Sequence, residues 1–364
     1  MGAGLLEAIE ASDVDAAKTV FDRELSGGKD PWQIHESLFP AVQSVLNPPF
    51  INPHLPKMYA IYRELAPRVE KADIPALVRL EIVEYARRPK LKTVFSGQPA
   101  PGSATFAELE AALQGRDPAK TAWTMQSYGA QHGLAELARK LIMIGSGYLD
   151  KSLGHSISCT AFILLEALDR TGLDISPAIA MLADYYHKGR FQAIPPLRTE
   201  LLSVEETDRQ LLRAVSGGGI VNLHHTITLY AIDRVRRLLK PEEYTHCVHK
   251  WIEFLGAKKT EEVSDGSRAE AIEYPAFHDI FSTLDVRAAF APLSAMLGSG
   301  RDRPLVGRYL IKGVCDLYDG DYNPHNLTGI GSLLWVLDRY PGAHPIAVTA
   351  VHQFLDYFFS DLKS

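Results

Sequence analysis

The sequence predicts an all-α fold of duplicated helical repeats, four helix-turn-helix blocks in two similar halves around a histidine-lined cavity. Three observations lead there. Apolar residues recur at spacings of three and four through most of the chain, runs of strict alternation are scarce, and four passages each place a turn and then a histidine before a helical pattern. The chain has 364 residues, which at about 150 residues per domain gives two units or one extended array of helices. Its 46% hydrophobic and 23% charged residues exclude a disordered or collagen-like chain.

In chain order, residues 1–24 are amphipathic and acidic, with no basic segment leading an apolar core, and read as a first helix, not a signal peptide. Gly2 does not open a myristoylation motif, because Leu6 stands where Ser or Thr is required. Helical spacing then covers 106–113, 122–145, 155–168, 227–239, 244–255 and 344–362. Ser12-Asp13, Asp117-Pro118 and Lys240-Pro241-Glu242 supply helix starts. Joints fall at 90–103, 192–198, 258–269 and 298–304, where Pro, Gly or charge interrupts the apolar period.

These joints divide the chain into four blocks that resemble one another. The passages are NPHLPKMYAIYRELAPR from Asn52, LGHSISCTAFILLEALDR from Leu153, LHHTITLYAIDRVRRLL from Leu223 and NPHNLTGIGSLLWVLDR from Asn323. Their histidines, His54, His155, His225 and His325, are separated by 101, 70 and 100 residues. Long, short, long is the signature of a duplicated pair, with halves 1–197 and 198–364 forming one integrated domain. Packing demands that each repeat keep its apolar face, but not that it repeat an imidazole. Equivalent positions in a curved array face a common axis, so the four histidines are expected to line one cavity.

Neutral imidazole is a common metal ligand and suits iron, zinc, copper and nickel. The expected metal ligands are therefore His54, His155, His225 and His325, holding iron(II), zinc or another divalent metal. The positive end of each helix opposes a cation there, a cost that an anionic ligand would offset. His224, about 100° around the helix from His225, is expected to carry protons. His246 and His249 form a second pair three residues apart, although a solvated face beside Lys250 explains them as well. His35 with Glu36, His132 and His187 flank the repeated positions. So do Tyr148, Tyr185, Tyr186, Tyr318 and Tyr322, which could line an apolar cavity with polar tips.

Other classes are weaker. The net charge of −6 gives no basic field for nucleic acid, and no run approaches the ~18 apolar residues of a membrane span. Cys159, Cys247 and Cys315 are far apart and odd in number, as expected of buried free thiols in a cytoplasmic protein. The Ser216-Gly217-Gly218-Gly219 turn lacks the lysine and spacing of a phosphate loop, and no G-x-S-x-G elbow exists. His278-Asp279 matches the core pair of HD-type metal phosphohydrolases, with His225 or His246 and Asp316 as nominated partners. A non-catalytic helical repeat protein with structural histidines is the other alternative.

With its helix-opening histidines in LGHSISCTAFILLEALDR and LHHTITLYAIDRVRRLL, the chain resembles the questin oxidase-like family and the helical histidine-repeat regions attached to some Rieske proteins. The resemblance implies a non-haem iron oxygenase that cleaves polycyclic phenols or quinones with dioxygen. It implies an iron held by several histidines and, in some members, a carboxylated lysine. The histidines carried over are His54, His155, His225 and His325, and Lys312 is the nominated lysine. No Rieske Cys-His pairs occur in the chain, so no iron–sulfur centre is expected.

Overall fold

A computed structural model describes residues 4–92, 104–170, 172–261, 263, 270–320 and 322–364. Among these residues the regular structure is helical, and the β-type pairings are two isolated bridges, Val45 with Lys90 and Asn47 with Phe50. No described helix is long and apolar enough to cross a membrane.

The local signals work as their chemistry requires. Asp117 caps the helix Pro118–His132 by accepting from the backbone of Ala119 and Lys120 at 2.9 and 3.1 Å. Asp13 accepts from Ala16 at 2.9 Å at the head of Val14–Ser26. Thr105 and Glu108 form a reciprocal capping box on Phe106–Gln114. Pro241 opens Pro241–Leu255.

Three expected helices are interrupted. The stretch 122–145 lies in two helices, Pro118–His132 and Leu134–Gly145, because Gly133 takes φ +91°. The apolar period runs on across the break since Met125, Tyr128, Leu137 and Leu141 enter one core cluster. The expected first helix is Leu5–Glu10 and Val14–Ser26, broken where Ser12 takes φ +59°. The stretch 227–239 belongs to Gly219–Arg234 and a short 3-10 turn, Arg236–Leu238. Of the expected joints, 192–198 is non-helical, and 298–304 separates Val286–Gly298 from Arg303–Asp316. Most of 90–103 and part of 258–269 lie outside the described residues.

The chain divides into two compact units. The first comprises Met1–Ala60, Ile74–Thr199 and Ala231–Lys250. One of its clusters buries Leu109, Met125, Leu141, Ile163, Tyr185 and Phe191, each large apolar side chain contributing roughly 1.5–3 kcal/mol by leaving water. Leu134–Gly145 crosses His155–Asp169 so closely that a Cβ on Gly145 would lie 2.6 Å from the Ser156 carbonyl oxygen. Only glycine fits there, and this crossing seats the helix that begins at His155.

The second unit comprises Ile61–Asp73, Glu200–Tyr230 and Trp251–Ser364. Its core gathers phenylalanines: Phe281 stacks on Phe358 with centroids 5.5 Å apart, and Phe358 stacks on Phe354 at 5.9 Å. Gly313 faces the Phe281 ring, which an added Cβ would meet at 2.7 Å. Cys159 and Cys247 are buried and Cys315 is half-buried, all three free.

Candidate metal centre

Three of the four expected histidines are the first residues of helices, and the preceding chain explains each. His54 opens His54–Leu65 after Asn52-Pro53, its backbone N–H donating to the Asn52 carbonyl at 2.8 Å. His155 opens His155–Asp169 after two left-handed residues, Leu153 (φ +48°) and Gly154 (φ +75°), and Gly154 N–H reaches back to Leu149 at 2.8 Å. His325 opens His325–Arg339, and Asn323 Oδ1 accepts from both its backbone N–H at 3.0 Å and its ring Nδ1 at 2.7 Å. The fourth differs. The helix Gly219–Arg234 starts at the glycine turn, so His224 and His225 lie in its second turn rather than at its head.

Within the first unit His54 and His155 are both buried, and their Nε2 atoms approach to 2.7 Å with the rings nearly perpendicular at 87°. Hydrogen-bond partners fix the protons. The Ser152 carbonyl, 2.7 Å from His155 Nδ1, can only accept, so Nδ1 donates and Nε2 keeps its lone pair. Asn47 Nδ2 lies 3.1 Å from His54 Nδ1 and donates to it, which puts the His54 proton on Nε2, directed at His155. A metal ion would displace that proton, and rotating the Asn47 amide would then let its oxygen accept from Nδ1. A metal-ligating histidine is usually oriented by such a carbonyl partner.

One turn further along the same two helices stand Lys57 and Cys159. Lys57 is fully buried, and its Nζ has no hydrogen-bond partner among the described residues. Burial holds this amine below the usual lysine range, while Cys159 acts in the opposite direction. Burial pushes the Cys159 thiol up to about 11, against the pull of Lys57.

Within the second unit His325 packs against His224, ring centroids 4.6 Å apart. His224 Nδ1 donates to the Ile220 carbonyl at 2.6 Å, so His224, like His155 and His325, keeps its lone pair on Nε2. His225 faces elsewhere. Its ring lies 4.6 Å from that of Phe254, and its Nδ1 is 3.5 Å from Lys258 Nζ. Burial, then the charges of Lys258 and Arg213, lower its pKa to about 4. In the folded chain His225 therefore stays neutral down to about pH 4, whereas the unfolded chain takes the proton near 6.5. Stability from this residue is present above pH 6.5 and lost as pH falls toward 4. His225→Gln is expected to lose about 2 kcal/mol less than the parent chain between pH 7 and 4.5, measured by urea unfolding at both values. Equal losses in the two proteins would show that His225 does not set the slope.

His54 and His155 in the first unit and His325 in the second are each buried imidazoles of the kind that ligate a divalent cation. The remaining candidates are engaged in other ways. His246 accepts at Nδ1 from the Arg198 backbone N–H (2.9 Å) and contacts Ser146 Oγ at 3.2 Å, while His249 is half-buried. His35 is fully buried against Glu81, and His132 bonds the Ala104 carbonyl at 3.1 Å. Tyr185 and Tyr186 belong to a core cluster, against which Tyr148 packs. Tyr318 and Tyr322 meet edge to face. Lys312, the nominated lysine, is instead a partly exposed ion-pair partner, 3.2 Å from Asp73 and 3.7 Å from Asp316, with Tyr274 beneath it. Asp279 is exposed, and Asp316 accepts from Tyr274 at 2.7 Å.

Sequence reading missed Lys57, although its spacing of three from His54 placed it on the same helical face. It also passed over Asn323, visible in the Asn-Pro-His tripeptide, and Asn47, whose role depends on a contact no local pattern announces. No protein-family model, curated protein or solved structure matches the chain.

Proposed function

We propose that the chain is a metal-dependent oxygenase in which His54, His155 and His325 hold one iron(II), acting on an apolar or aromatic small molecule such as a polycyclic phenol or quinone. The observation that carries the metal is the facing pair of buried Nε2 atoms, His54 and His155, 2.7 Å apart. His155 and His325 are each held by an oxygen acceptor at Nδ1 in the tautomer that ligates through Nε2. The oxygenase chemistry rests on the resemblance of the histidine passages; iron supplies electron transfer to dioxygen, whereas zinc in the same histidines would activate water for hydrolysis. The proposed duplication of the helical pairs accounts for helices that open on histidine three times.

His224 is the group to receive a substrate proton. Its Nδ1 proton is committed to Ile220, its Nε2 carries the lone pair, and its ring adjoins His325. Three neutral imidazoles leave a dication uncompensated, which favours an anionic ligand such as a phenolate. Lys57, whose amine burial holds below the usual lysine range, is the candidate for the lysine that the resemblance implies, since the unprotonated amine can add carbon dioxide to give an anionic carbamate and release a proton to solvent.

The test is oxygen uptake by anaerobically iron-loaded protein on mixing with oxygen and phenolic or quinone candidates, run beside phosphoester hydrolysis. Substrate-dependent oxygen consumption that is lost in His224→Ala supports the reading. Hydrolysis with zinc and without oxygen overturns it in favour of a hydrolase.

A further inference from the structure

A second site of a different kind lies in the first unit. A cavity of 690 Å³ is lined by Gln114, Arg116, His187, Arg190 and Gln192 beside apolar Leu113, a size suited to a small organic ligand. No carboxylate lines it among the described residues. Neither guanidinium forms an ion pair or hydrogen bond among the described residues. The nearest acids in sequence are committed elsewhere: Asp117 caps its helix, and Asp184 pairs with Lys188 at 2.6 Å. In a chain of net charge −6, an acid-free hollow with two unmatched arginines runs against the background.

The backbone at both arginines is held in place. Arg116 sits between Gly115, whose N–H bonds the Ala111 and Ala112 carbonyls at 3.1 Å, and the capping Asp117. Arg190 ends the helix Ser176–Gly189 in the left-handed conformation, φ +54°, unusual for a residue with a side chain. Its neighbour Phe191 explains how that conformation is kept. The Phe191 ring is 1% exposed and packs 5.0, 5.2 and 5.3 Å from Tyr148, Tyr185 and Tyr186. Gln192 N–H donates to the Tyr148 hydroxyl at 3.2 Å. The buried phenylalanine thus anchors the segment that presents Arg190 and Gln192 to the cavity.

We propose that this cavity binds a small organic phosphate, Arg116 and Arg190 taking its phosphoryl oxygens and His187, Gln114 and Gln192 donating from the sides. Guanidinium matches phosphate through paired, charge-assisted hydrogen bonds. The site uses none of the histidines assigned to the metal.

The test is calorimetric titration of the full chain, stripped of divalent metal with EDTA, with pyrophosphate and in parallel with citrate. Pyrophosphate is expected to bind one to one and more tightly than citrate, and to weaken as salt rises. Arg116→Gln and Arg190→Gly are each expected to raise Kd about tenfold or more. Glycine suits the positive φ at position 190, so that variant should unfold no earlier than the parent chain. Absence of pyrophosphate binding by the parent chain overturns the proposal, as does a Kd unchanged in the double variant. Citrate binding as tightly as pyrophosphate would overturn the phosphate assignment. Because metal is absent throughout, none of these outcomes depends on the oxygenase reading.

Discussion

Replacing His155 with alanine is expected to abolish divalent-metal binding while the chain keeps its helical fold. The variant loses the imidazole whose Nδ1 is tied to Ser152 and whose Nε2 faces His54 at 2.7 Å. The helix His155–Asp169 itself rests on the Gly154 turn and on a buried face that includes Ile157, Ala161 and Leu164, none of which changes. The metal-free variant loses the His54–His155 hydrogen bond, a cost of about 0.5–1.5 kcal/mol. That lowers the unfolding temperature without removing cooperativity. In the parent chain, metal at about a hundred times its Kd adds about 2.7 kcal/mol of stability, and this increment should vanish in the variant. Metal content after dialysis and the metal-dependent shift in unfolding temperature measure both effects. Metal stoichiometry unchanged in His155→Ala would remove the basis of the proposed centre. Because a protonated imidazole cannot ligate a metal, affinity in the parent chain should fall as pH is lowered.

Replacing His35 with alanine is expected to be the most destabilising single change outside the proposed centre, by about 3–5 kcal/mol. Glu81 is fully buried and is held by His35 Nδ1 at 2.6 Å and the Tyr85 hydroxyl at 3.0 Å. The His35 ring is stacked between Trp32 and Tyr59, centroids 4.2 and 4.3 Å away. Burial raises the Glu81 carboxyl above the usual range, and His35 is the principal group pulling it back. Without the imidazole, an ionised Glu81 would be a buried charge opposed only by a neutral tyrosine. A carboxyl whose folded pKa is raised contributes stability at low pH and loses it as pH climbs through that pKa. The deficit of His35→Ala should therefore be larger at pH 8 than at pH 5. Urea unfolding at both values measures it, and a loss below about 1 kcal/mol at pH 8 would show that the pair contributes little.

The helical class, most helix starts and the histidine positions at the heads of three helices were legible in the chain itself. They depend on near neighbours: Asp117 caps the helix just after it, Asn323 reaches two residues ahead to His325, and the Leu-Gly pair turns the backbone before His155. Interactions this short are written in sequence spacing. The break at Gly133 was harder, because residues on both sides of it bury against one core and keep a single apolar period.

Which histidine of the adjacent pair meets His325 was a different matter. Spacing between passages favoured His225, yet the ring against His325 is that of His224, while His225 turns to Phe254 and Lys258. Neighbours on a helix point about 100° apart, so the choice rests on the rotation of Gly219–Arg234 about its axis, which distant packing sets. The same holds for the lysines. Lys312 and Lys57 both have apolar neighbours in sequence, but only the folded chain places acids beside the first and buries the second beside Cys159. Sequence determined the elements and the chemical groups they carry, through forces acting within a turn or two. Tertiary structure alone decided which groups meet, because burial and pairing arise between residues a hundred positions apart.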